Sequence, residues 1–225
     1  MFSKEQGDMS ASSAPATSIP ATVVRRLPKY LAQAQKLRQA GVQWVSSKAL
    51  AEALGLTPST VRQDITHIDF SGISKRGYAT AGLESTLART LGADQDICVV
   101  VVGAGNFGRA LVLHGEFARQ GFRICGIFDN GAPVIGKKVG KLRVQPMSAL
   151  PDVVCGQDVD LGIIAVPQAA AQQVADHFVL AGVRGILNLT TTHLKVPRTV
   201  AVVDARVLAS LRELAYAVRM IEPRF

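Results

Sequence analysis

At 225 residues and 48% hydrophobic content, the chain is long enough for two compact units with real cores. Its longest apolar run, which begins at Ile97, is too short to span a bilayer, and residues 1–20 mix Ser, Ala, Pro and Thr without the apolar centre of a signal peptide. A soluble, cytoplasmic protein with a flexible tail over residues 1–18 is therefore expected, with no membrane role. Three cysteines, Cys98, Cys125 and Cys155, match no metal-ligand spacing, so core packing and no metal are expected. The net charge of +8 is unevenly spread: residues 21–90 hold ten Lys and Arg against four acids, six of the eight positive charges.

In chain order, the first informative stretch is SSKALAEALGLTPSTVRQDI, residues 46–65. Ser47 can cap a helix carrying Leu50, Ala51 and Leu54 on one face, and Gly55 permits a turn. Thr57 and Pro58 then suit the cap and first position of a second helix through Ile65. This leaves Ser59, Thr60, Arg62 and Gln63 facing outward, short polar or basic groups of the kind that meet base edges and phosphates in a major groove. A plain helical hairpin with a solvated polar face has the same local pattern. Basicity confined to this part of the chain, Arg25 and Lys29 ahead of the helix pair and Lys75 and Arg76 after it, favours a DNA-binding module.

The second stretch is ICVVVVGAGNFGRALVL, residues 97–113. A strand from Ile97 to Val102 runs directly into Gly103, Ala104, Gly105, Asn106, Phe107 and Gly108, the glycine pattern of a dinucleotide-binding turn. Gly103 would allow the turn, Gly105 the approach of backbone to a pyrophosphate, and Gly108 the packing of the next helix, whose N-terminus faces the phosphates. A second strand from Phe122 ends at Asp129, placed to accept from an adenosine ribose, which favours NAD(H) over a 2′-phosphorylated cofactor. Lys137 and Lys138 read first as surface lysines.

Further strands are expected at Leu161–Pro167, Gly182–Leu189 and Thr199–Ala205, with a helix over Ala169–Leu180 between the first two. Strand alternating with helix means a doubly wound parallel sheet that takes ligand at the carboxyl ends of its strands. Val166 and Pro167 on one strand end and Asn188 on another are candidates to line the nicotinamide side; purely local loop roles fit them equally. The chain closes with a helix from Asp204 onward, whose stripe of Val207, Leu208, Leu211, Leu214, Ala215 and Val218 must pack on its own sheet or on a partner.

Taken together, IPATVVRRLPKYL, SSKALAEALG, VRQDI, Gly77-Tyr78, VVVGAGNFGRAL, GIFD, AVP and GVRGILNLTTTHLKVP resemble, in order and approximate spacing, the Rex family of bacterial redox-sensing repressors. Arg26-Leu27-Pro28 with Tyr30, ahead of the helix pair and the glycine turn, is the most diagnostic of these segments. The resemblance implies an α/β chain with a winged-helix DNA-binding domain (19–85), a Rossmann NAD(H)-binding domain (86–203) and a C-terminal helix (204–225) swapped into a partner. It also implies a homodimer that binds a palindromic operator and releases it when NADH binds.

Carried over by position, Arg62 and Asp64 match the family's recognition-helix motif, while Gln63 stands where Lys is usual. Asp69 and Lys75 replace wing glycines, leaving Lys75 and Arg76 as a basic wing tip. Asp204 matches the family's switching aspartate. Its Arg partner appears as Ala32 and a Tyr near the nicotinamide as His114, so His114 is a candidate donor to Asp204; a partly exposed helix residue with no such role is the alternative. Asn106 replaces a frequent Arg, and Gly131 a frequent acid. A dehydrogenase is disfavoured because no substrate domain or proton-transferring pair is visible. A sensor of coenzyme A or NADP(H), or a relative that has lost ligand control, remains open.

Overall fold

A computed structural model describes residues 19–221, so the tail expected over 1–18 and the last four residues lie outside the described part. The chain divides into two units, Met1–Asp94 and Gln95–Phe225.

The first unit contains α1 (Ala21–Val24), α2 (Leu27–Gln39), β1 (Trp44–Val45), α3 (Ser47–Leu54), α4 (Pro58–Ile65), β2 (Tyr78–Ala79) and α5 (Thr80–Leu91). The cap of α3 is Ser46, not Ser47: the Ser46 hydroxyl accepts from the Ala49 N–H at 3.0 Å, and Ser47 is the first helical residue. Two adjacent serines satisfy the same capping pattern, and only the backbone torsions separate them. The turn that follows is as expected, with Gly55 left-handed at φ +66 and Thr57 capping α4 through the Thr60 N–H. Tyr30, Leu27, Leu50, Val61, Leu83 and Leu87 form a single core. Because α5 supplies Leu83 and Leu87 to that core and packs along α2, the unit runs on to Asp94 and not to residue 85. β1 and β2 pair antiparallel, Trp44 opposite Ala79 and Val45 opposite Tyr78, and the loop before β2 forms the wing.

The second unit contains β3 (Ile97–Val102), α6 (Asn106–Leu113), α7 (Glu116–Arg119), β4 (Phe122–Asp129), β5 (Lys138–Val139), β6 (Leu142–Pro146), α8 (Leu150–Gly156), β7 (Leu161–Ile164), α9 (Gln168–Ala181), β8 (Gly185–Asn188), β9 (Ala201–Asp204) and α10 (Val207–Met220). The sheet order is β5-β6-β4-β3-β7-β8-β9, parallel apart from the β5–β6 hairpin. Without β5 this is the doubly wound dinucleotide-binding order, reversing direction between β3 and β7. The β-branched run of β3 is buried on both faces, as the central strand of such a sheet requires.

Two expectations change here. Asp204 ends strand β9, and the terminal helix starts three residues later at Val207. Cys98 and Cys125 are buried, but they are also paired: they form a disulfide between the neighbouring strands β3 and β4, while Cys155 is free and exposed. The apolar stripe of α10 is uncovered, with Val207, Leu208, Leu211, Leu214 and Val218 each 55–65% exposed.

Candidate functional site

In the first unit, Ser46, Ser47, Arg62, Thr66 and the wing residues Ser71–Tyr78 surround an open concavity of about 490 Å³. The Arg62 guanidinium donates to the Ser47 hydroxyl at 3.3 Å, so both sit at one edge of it. Ser59 and Gln63 are exposed on α4, whereas the Thr60 hydroxyl shares a 2.8 Å hydrogen bond with Thr57 and is tied into the cap. Arg25 and Lys29 are exposed and form no salt bridge among the described residues. At the wing tip Lys75 is left-handed, φ +63, which explains why a glycine is common there in the family pattern. The Arg76 guanidinium lies 4.0 Å above the centre of the Trp44 ring.

Asp64 does not face this concavity. It is 2% exposed, takes a bidentate pair from Arg26 at 2.6 and 2.7 Å, and accepts from the Tyr30 hydroxyl at 2.8 Å. Burial alone pushes its pKa up, but the hydrogen bonds from Arg26 and Tyr30 outweigh that and hold it below the ordinary carboxylate range. Desolvation and the neighbouring carboxylate push the Tyr30 phenol well above its ordinary value. Matching both halves of the recognition-helix motif thus joins two different jobs: Arg62 lies on the surface, and Asp64 anchors the helix to α2. The Arg26-Leu27-Pro28 and Tyr30 segment was the available sequence signal for that anchor.

In the second unit a cavity of about 260 Å³ opens between the ends of β3 and β7, where the strand order reverses. Gly103, Gly105, Asp129, Val166 and Pro167 line it, five of the ten residues expected at a cofactor. Ala104, Asn106, Phe107, Gly108 and Asn188 do not. The Asp129 carboxylate accepts from the Ala104 and Gly131 N–H groups, each at 2.7 Å and on separate oxygens, so it pins the glycine turn while remaining at the cavity wall. Gly103 has φ +111, and a Cβ there would run into the Ala165 carbonyl; a Cβ on Gly108 would run into the Gly103 carbonyl. Both are demands of chain packing. Around Gly105, by contrast, there is open space, the clearance a close phosphate needs.

The Asn188 side chain is fully engaged within the chain. Its amide donates to the Thr192 carbonyl and to Asp204, both at 2.8 Å, and its oxygen accepts from the Thr190 N–H and hydroxyl, which uses all four of its capacities. Asp204 in turn pairs with Arg206 at 2.7 Å, and the bonds from Asn188 and Arg206 lower its pKa. His114 is exposed at the end of α6, its Nδ1 accepting from the Glu116 N–H at 3.3 Å. Met147 and, on α9, Gln173 and His177 complete the cavity. They lie far from the glycine turn in sequence, and only the sheet order brings them there. Among the described residues no three His, Cys, Asp or Glu side chains are placed to hold a metal ion, and no helix is long and apolar enough to cross a membrane.

Comparison with known proteins agrees with this division. Residues 18–66 match the family model of a putative DNA-binding protein N-terminus, and residues 94–192 that of a CoA binding domain. A redox-sensing transcriptional repressor Rex from Carboxydothermus hydrogenoformans is 39% identical over 201 residues, 89% of this chain and 97% of that protein. The Streptomyces avermitilis Rex is 40% identical over 198 residues, 88% of this chain and 79% of that protein. The crystal structure of the Rex-family repressor RSP with β-NAD+ and operator DNA superposes with a TM-score of 0.85 at 32% identity, covering 90% of this chain and 94% of that one. RSP with β-NADH gives 0.82 at the same identity, covering 90% and 95%. On that similarity over nearly its whole length, the chain belongs to the Rex family of redox-sensing transcriptional repressors.

Proposed function

We propose that this chain is a cytoplasmic repressor that binds a palindromic operator as a homodimer and releases it when NADH occupies the cavity between β3 and β7. The observation that carries the reading is Asp129, a carboxylate at the wall of that cavity, beside open space at Gly105. Each of its oxygens retains a lone pair beyond its backbone hydrogen bond, enough to accept from ribose hydroxyls, and its charge repels a 2′-phosphate. The nucleotide half of the site is Gly103, Gly105, Asp129, Val166 and Pro167, with Asn106 and Phe107 at the start of α6 offering backbone N–H groups, while the Ala104 N–H is already held by Asp129. The DNA half is Arg62 with Ser47, Ser59, Gln63, Lys75 and Arg76, flanked by Arg25 and Lys29. The protein acts as a regulator and carries out no reaction.

The switch in this reading is Asp204, with His114 as the donor that meets Asp204 of the partner subunit. Arg206 already supplies a cation within the chain, where the family pattern has an arginine at the position of Ala32. If His114 carries the switch, His114→Phe weakens NADH-driven release while leaving operator binding in the absence of NADH unchanged. Unaltered release assigns the switch to Asp204 and Arg206 alone.

A second reading has its own support, since residues 94–192 match a CoA binding domain. Titrating NADH, NAD+, NADPH and coenzyme A separately into the protein bound to a fluorescein-labelled duplex carrying the RSP operator, and following anisotropy, decides between them. NADH-selective release is expected. Release by coenzyme A or NADPH replaces the ligand, and binding that ignores all four makes the chain a DNA-binding relative without ligand control.

A further inference from the structure

The wing of this chain is short. Its two strands have two residues each, and beyond them a single bridge from Ile73 to Gly77 closes a turn in which Lys75 adopts the left-handed conformation that costs an L side chain energy. The Arg76 N–H also donates to the Ile73 carbonyl at 3.0 Å, which fixes the backbone of the turn and leaves its long side chains to be placed by other contacts. Trp44 on β1, one residue before the buried Val45, is half-buried, and the central carbon of the Arg76 guanidinium lies over its ring, 4.0 Å from the ring centre. Arg76 has no acid partner among the described residues, in contrast to Arg26, Arg38, Arg123 and Arg184. Stacking occupies the flat face of a guanidinium and leaves the N–H groups in its plane free, the edge that forks onto a phosphate.

We propose that Trp44 is the positioning residue of the wing, holding the Arg76 guanidinium edge-outward so that DNA phosphate meets an ordered cation and not a freely rotating one. The inference rests on the operator-binding reading and adds a residue that none of the DNA-binding candidates included. A long arginine side chain otherwise loses its rotamer freedom when it binds, and a stack already present in the free protein removes that loss. The contact also ties the turn to β1, on which Trp44 lies.

The test is a double-mutant cycle on the full-length protein, with anisotropy on the labelled RSP operator duplex over a range of salt concentrations. Trp44→Leu is expected to weaken binding about fivefold, the usual scale of an exposed cation–π contact. Arg76→Ala is expected to weaken it about tenfold and to lower the salt slope by about one ion, as loss of a single phosphate contact does. Trp44→Leu added to Arg76→Ala changes nothing further, and Trp44→Phe, which keeps an aromatic face, retains part of the affinity. Because Trp44 is the only tryptophan in the chain, its emission reports on the stack directly. Arg76→Ala, a change at an exposed tip, therefore shifts the emission of the free protein, and this reading stands even if Trp44→Leu fails to fold. Effects of the two substitutions that simply multiply, or tryptophan emission blind to Arg76→Ala, overturn the proposal. Wild-type protein that binds NADH but not the duplex removes the operator reading as well, whereas duplex binding indifferent to Trp44 removes only this inference.

Discussion

Gly105 and Gly108 stand three residues apart in one motif and answer to different constraints. A methyl group on Gly105 meets nothing in the protein, so Gly105→Ala is expected to melt like the wild type while weakening NADH at least tenfold, because the added carbon takes the room a phosphate needs. On Gly108 the same carbon collides with the Gly103 carbonyl, so Gly108→Ala lowers the stability of the second unit by about 1–3 kcal/mol, the scale of overpacking. Thermal unfolding paired with a nucleotide titration separates the two, and equal behaviour of the variants contradicts this placement of the phosphate. Lys75 poses a similar contrast on the DNA side. Lys75→Gly removes left-handed strain of about 1 kcal/mol but also a cation, so the first unit should melt higher while operator affinity falls. The glycine pattern was legible in the sequence because its three positions keep a fixed spacing between a strand and a helix, although only Gly103 has a backbone torsion that calls for glycine. The engagement of the Asn188 side chain with Thr190, Thr192 and Asp204 was not legible in that way, because only the folded loop assembles those partners.

At the scale of elements, the recognition helix α4 is held in place by charge as well as by packing. Asp64 is buried and Arg26 partly exposed, so Asp64→Ala leaves a cation that can still reach water through its open side. The expected loss is about 2–3 kcal/mol, short of the value for a fully buried orphan charge. Operator affinity should fall with it and NADH affinity should not, since the nucleotide cavity belongs to the other unit. The same pair makes the first unit acid-sensitive. The folded-state pKa of Asp64 is depressed, so its contribution is complete above the ordinary carboxylate pKa, about 4, and is lost as pH falls through the lower folded value. The gap in stability between the wild type and Asp64→Ala, from denaturant titrations at pH 7 and pH 3, should therefore narrow at the lower pH; a constant gap rules the mechanism out. Elements with a clean period or cap were legible: α3, α4, β3 and α9 fall within a residue or two of where sequence places them. Nothing was assigned between Asp129 and Leu161, because β5 has only two residues and β6 interrupts its apolar residues with Arg143, Gln145 and Pro146, without the apolar run that marks β3 and β7.

At the scale of the whole molecule, the unresolved demand is α10. Its sequence is amphipathic, yet Leu208, Leu211 and Leu214 remain 65%, 55% and 58% exposed, so the helix finds no cover among the described residues. A row of leucines left in water forgoes roughly 1.5–3 kcal/mol for each side chain that could be buried. In the homodimer proposed above, a second copy would relieve this by symmetry, since both subunits would offer the same stripe, and it would also bring two α4 helices to the two halves of a palindrome. Leu211→Asp with Leu214→Asp is therefore expected to give a monomer by sedimentation velocity, with each subunit still folded because these side chains support nothing else in the chain. Operator affinity should then fall by about a hundredfold or more, since linked half-sites raise each other's effective concentration and separate ones do not. NADH binding is the control: its cavity is built from β3, β4, β7 and α9, none of which the substitutions touch. A charged variant that still sediments as a dimer, with operator affinity intact, shows that the subunits join elsewhere and leaves the apolar stripe for another partner.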